Sequence, residues 1–103
     1  MNKNKFKTLN EAKEALVKEE ARLAKIEELI SFIHEAFCKI EDAESVLPDI
    51  DNLINEDYLY RVVVSRTHQL TDAITFLKEQ DVKLSKEKIE TISDQIKEFE
   101  SFK

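Results

Sequence analysis

Glycine is missing from this 103-residue sequence altogether, and so is tryptophan; proline, cysteine and methionine occur once each. At ordinary usage of about 7%, roughly seven glycines would be expected. Tight hairpin turns, bulges and phosphate-cradling loops depend on the positive φ that glycine adopts freely. Turn-rich β architectures and nucleotide-binding loops therefore lose support together. A lone cysteine, Cys38, rules out a disulfide within the chain and fits a reducing, cytoplasmic setting. No stretch approaches the ~20 apolar residues of a membrane span. The start, Met1 to Lys7, is basic with no apolar run behind it, unlike a secretory signal. The net charge of -6 argues against general nucleic-acid binding, which needs a basic face.

What the sequence does contain is a long apolar rhythm. Thr8-Leu9-Asn10-Glu11 reads as a capping box. From there apolar residues recur every three or four positions: Leu9, Ala12, Leu16, Leu23, Ile26, Ile30, Ile33, Phe37, Ile40 and Leu47, with Glu19 and Glu44 as polar stations. This predicts one coiled-coil-like helix near 9–46, ended by Pro48. A second helix, near 49–80, begins at Pro48–Asp49 or after a kink at Asn55-Glu56-Asp57, where Asn55 can cap. Its rhythm is Leu53, Tyr60, Val63, Thr67, Leu70, Ile74 and Leu77. The chain is expected to break at Gln80–Asp81. Ser85 then caps a third helix near 86–102, with Leu84 and Ile89 as its hydrophobic staple. Residues 58–64 are aromatic and β-branched enough for a strand, but no second strand-like segment exists to pair with them, so helix is the expectation.

The fold class expected is all-α: a long antiparallel helical hairpin plus a shorter third helix, a three- to four-helix coiled-coil-like bundle. Residues 1–8 read as a flexible basic tail and 9–103 as a single helical domain. The third helix is short enough to cover only the end made by about 12–32 and 64–80, leaving 33–63 as a two-helix tip. Yet from Ile26 onward Leu29, Phe32, Ala36 and Ala43 widen the apolar face of the first helix, and 58–64 is apolar all round except at Arg61. Three arrangements fit that excess: self-association of the tip through residues such as Phe37, Ile40, Leu59 and Val63; a different partner protein; or a break near Glu41–Glu44 that folds the chain into a compact four-helix monomer.

The tip is also where charge concentrates. Glu41, Asp42, Glu44, Asp49, Asp51, Glu56 and Asp57 fall within 41–57 without one Lys or Arg. With Phe37, Tyr58 and Tyr60 they form the candidate partner-binding surface, since aromatic residues anchor interfaces and a block of acids steers a basic partner.

No catalytic, cofactor or metal site is expected. His34 with Cys38 and His68 with Asp72 are half-sites at helical spacing, short of a zinc ligand set. The pairs Glu19-Glu20, Glu27-Glu28 and Glu41/Glu44 interleave with lysines as on a solvated helix face. Arg61 and His68 loosely resemble the spaced Arg–His pair of HEPN-type helical ribonucleases, without the polar residue usual beside that Arg. In size and build the chain resembles small bacteriocin-immunity proteins and phage-encoded inhibitors, an analogy of architecture that carries no function. The expectation is a small acidic binding protein of inhibitor, immunity or adaptor type, with a homodimer likewise expected and no direct contact with membrane or nucleic acid. The alternatives are a dimeric all-α hydrolase or nuclease subunit, and a purely structural oligomerising protein.

Overall fold

The computed structural model describes residues 6–101; the expected tail lies outside them for residues 1–5. The fold is all-α. Helix α1 spans Leu9–Val46, the range that its rhythm implies. Thr8 starts it: the Glu11 backbone N–H donates to Thr8 Oγ1 at 3.2 Å, which satisfies one of the donors a helix start leaves open. Pro48 stops it, inside a single 3-10 turn at Leu47–Asp49. Helix α2 spans Glu56–Phe76 and contains all of the strand-like run 58–64. The kinked start at Asn55 is thus the one adopted, and residues 50–55 are not helical. Asn55 makes no side-chain cap bond; its carbonyl instead accepts the Leu59 N–H at 2.9 Å.

The expected break at Gln80–Asp81 does not occur. A π-helical segment, Leu77–Val82, joins α2 directly to α3, Lys83–Ser101. The apolar rhythm explains it. The stations run Leu70, Ile74, Leu77, then jump five residues to Val82 before resuming as Ser85, Ile89, Ile92, Ile96 and Phe99. An i→i+5 turn absorbs such a step without opening the helix. Ser85 is accordingly no cap: it is a fully buried seam residue.

The described residues form two compact units. The central unit, Glu28–Lys78, holds the second half of α1 and α2, reversed on each other through 47–55. The reversal uses Asn52 at φ 60°, a left-handed position that glycine would normally take and that Asn tolerates better than most residues. Helix α1 is unbroken through Glu41–Glu44, so the compact four-helix alternative is excluded.

The terminal unit pairs residues 6–27 with 79–101. Here too the strands of helix run antiparallel. The Phe6 N–H donates to Gln95 Oε1 at 3.4 Å, and further along Ser85 Oγ donates to Glu19 Oε2 at 2.6 Å. Helix α3 therefore belongs to the same unit as residues 6–27. Glu19, a polar station of the α1 rhythm, faces a serine at the matching station of α3. Its side chain is 13% exposed and also receives Arg22 Nη1 at 3.5 Å. The solvated-face reading of Glu19 is thereby corrected: it is a seam residue with its hydrogen bonds satisfied.

Candidate functional site

The turn end of the central unit gathers most of the residues singled out from sequence. Asp49 closes the 3-10 turn and Asp51 follows it. Glu56 and Asp57 occupy the first turn of α2, where carboxylates oppose the positive end of the helix dipole. Tyr58 and Tyr60 are both exposed.

The two tyrosines line different hollows. Tyr60 lines one with Glu56, Asp57 and Arg61. Tyr58 lines another with Arg61, Val62, Ser65, Arg66 and Gln69. Arg61 borders both, and its Nε donates to the Asp57 carbonyl at 3.4 Å. The acidic patch is therefore edged by a cation that the count over 41–57 leaves out.

The remaining candidates lie further along α1. Glu41 and Asp42 are exposed. Glu44 and Phe37 sit half-buried on the seam, and the Phe37 ring stacks on His34 with centroids 6.2 Å apart. Ile40 and Val63 are half-buried seam residues as well.

Two residues at this end escaped the sequence reading. Ile54 is 96% exposed and Ile50 44%, and both stand in the turn among Asp49, Asp51, Glu56 and Asp57. A detectable signal existed: apolar side chains in a turn, outside any helical rhythm, with no seam to enter.

The other polar pairs remain pairs. His34 Nδ1 and Cys38 Sγ approach to 3.9 Å across one helical turn, both exposed. Among the described residues no three His, Cys, Asp or Glu side chains converge on a point where a metal would sit. Arg61 and His68 lie two turns apart on α2, about 10 Å along the axis. In the terminal unit, Ala15, Lys18, Glu19, Leu84, Lys88 and Ile92 are among the residues around a groove of about 550 Å³. Among the described residues no helix is long and apolar enough to cross a membrane.

No protein family, curated protein or solved structure matches the chain.

Proposed function

We propose that the protein acts by binding another protein through the turn end of its central unit, in the cytoplasm, and that its action is binding rather than catalysis. One observation carries this reading: an isoleucine that is 96% exposed, Ile54, stands in the turn between Asp51 and Glu56, with a second exposed isoleucine, Ile50, and two exposed tyrosines, Tyr58 and Tyr60, within six residues of it in sequence. Large apolar side chains left in water together, rimmed by polar residues, mark an interaction surface. Tyrosines add rigid contact area at low entropic cost. The acids around them suit a partner with a basic rim about an apolar pocket. They would raise the association rate at low salt, with little effect on dissociation.

The test uses the full chain as bait in its native host, with mass spectrometry of what it retains. A four-fold charge reversal, Asp49→Lys, Asp51→Lys, Glu56→Lys and Asp57→Lys, is compared with matched reversals at Glu87, Glu90 and Glu98 on α3, each first shown to keep its helical circular dichroism. The expected result is a retained protein lost with the turn set and kept with the α3 set. Retention by the turn set, with loss from the α3 set, would place the surface on the other unit. Ile54→Ser alone is expected to weaken binding at least tenfold, the effect of removing about 1.4 kcal/mol of anchor.

A further inference from the structure

The seam of the central unit has two flanks, and they differ in kind. On one flank stand the residues immediately before each seam residue. On α1 these are Leu29, Phe32, Ala36, Lys39, Ala43 and Val46; on α2 they are Leu59, Val62, Arg66, Gln69, Ala73 and Phe76. Nine of these twelve are apolar. Because the helices run in opposite directions, an equal rotational offset from each seam falls on the same side of the pair, so the two stripes make one face. Six large apolar side chains on it are exposed, with Phe32 at 58% and Phe76 at 60%. On the other flank stand the residues just after each seam residue. These include Ser31, His34, Glu41, Arg61, His68 and Lys78, and that side is mostly polar.

We infer that the apolar face docks a second copy of this chain. The two copies are related by a two-fold axis that crosses the helices at right angles and passes midway between Ala36 and Lys39. Size and charge point to this occupant. Six large side chains near half exposure leave on the order of 500 Å² of apolar surface uncovered. A standard interface takes about 800 Å² from each partner, a little over half of it apolar.

The order of residues is self-complementary under that axis. Phe32 meets Ala43 of the second copy, large against small, and Leu29 meets Val46. On α2 Leu59 meets Phe76, Val62 meets Ala73, and Arg66 meets Gln69, the residue its Nη1 already bonds at 2.9 Å within one chain. One axis serves both stripes, since each centre lies about three helical turns from the non-helical residues 50–55. Lys39 then faces Ala36 and lies beside Glu35 of the second copy. The alternative two-fold, along the helices, would set Lys39 and Arg66 level with their own mates, four cations together. The result is four helices, each antiparallel to its neighbours. This surface is separate from the turn end, which stays open in the pair.

Sedimentation and light scattering of the full chain are expected to give twice its 12.0 kDa at micromolar concentration. Phe32→Cys with Ala43→Cys, in a Cys38→Ser background, is expected to oxidise to a covalent dimer, whereas the Cys38 of the native chain, on the polar flank, does not. Glu35→Lys and Lys39→Glu are each expected to weaken association about tenfold, the cost of a like-charge contact near 1.4 kcal/mol. Mixing the two variants restores it, because each supplies the charge the other lacks. A purely intrahelical role for the Glu35–Lys39 pair predicts no rescue on mixing. A mass of one chain at sub-millimolar concentration overturns the inference and leaves the face to a partner of another sequence. A dimer that cross-links through Cys38, or that fails to cross-link through the 32/43 pair, overturns it equally. The charge reversals at the turn end should leave the mass unchanged, so loss of a foreign partner and loss of the dimer are read separately.

Discussion

The terminal and central units use the same device, two antiparallel helices meeting along a heptad seam, and reach different degrees of closure. All four buried residues among those described, Ala12, Ser85, Ile92 and Gln95, belong to the terminal unit. The central unit has none. Conversely, of the twelve large apolar side chains that are exposed among the described residues, only Val17 and Leu84 lie in the terminal unit. Small residues account for the closure at one end. Ala12 and Ser85 let the helices approach, and a polar residue on one seam finds its match on the other, Glu19 with Ser85. The central seam is built from bulkier isoleucines, leucines and Phe37, and its apolar residues spill onto a flank that two helices cannot cover. A two-helix pair closes only when its seam is narrow and its polar stations are matched; a broad apolar arc demands a third surface.

That contrast can be broken by substitution. The largest effect is expected for Ile92→Ala, which removes the one large apolar side chain that is buried among the described residues, at 8% exposure. A loss of about 2–4 kcal/mol is expected, read as lowered amide-exchange protection across 9–27 and 83–101. Ile33→Ala, on the half-exposed central seam, should cost clearly less in dilute solution. Equal losses at the two sites would show that the difference in closure has no energetic weight. Next comes Ser85→Ala, expected to cost about 1.5–3 kcal/mol, because the hydrogen bond lost is to a carboxylate. Adding Glu19→Leu should recover most of that in a double-mutant cycle, since the seam then becomes uniformly apolar. A cycle with no coupling would reduce the 2.6 Å contact to a bystander. The smallest effect is expected in the turn. Asn52→Ala should cost about 1 kcal/mol through its left-handed φ, whereas Asn52→Gly should be neutral or slightly stabilising. Thermal unfolding by circular dichroism, run on the two variants together, separates them.

The helices of this fold were legible wherever the apolar rhythm kept its period. Thr8 and the run from Leu9 to Leu47 define α1 to both ends, because a cap, a sustained 3–4 spacing and a proline leave little freedom. The junction of α2 and α3 was not legible in the same way. Asp81, the phase jump from Leu77 to Val82 and a serine at 85 imitate the end of one helix and the start of another. Only backbone geometry tells a break from a π turn that takes up one additional residue. The geometry of the candidate site was half legible. Acids and tyrosines announced themselves by composition, but the reach of Arg61 into both hollows depends on the helix it stands on. Ile50 and Ile54 were overlooked because turns are read for polar residues. The apolar flank at Leu29, Phe32, Ala36 and Ala43 was visible as excess width, while its continuation onto α2 needed the pairing of the two helices.

The sequence separation of the terminal contacts has a kinetic consequence. Phe6 bonds a residue 89 positions away and Ser85 one 66 positions away. Closing such loops in an unfolded chain is entropically expensive and slow, whereas the central helices meet across a connection of a few residues. The less closed unit is therefore expected to form first. The expected consequence is that substitutions loosening residues 47–55 slow the assembly of helices many residues removed from them in sequence, as read by stopped-flow circular dichroism.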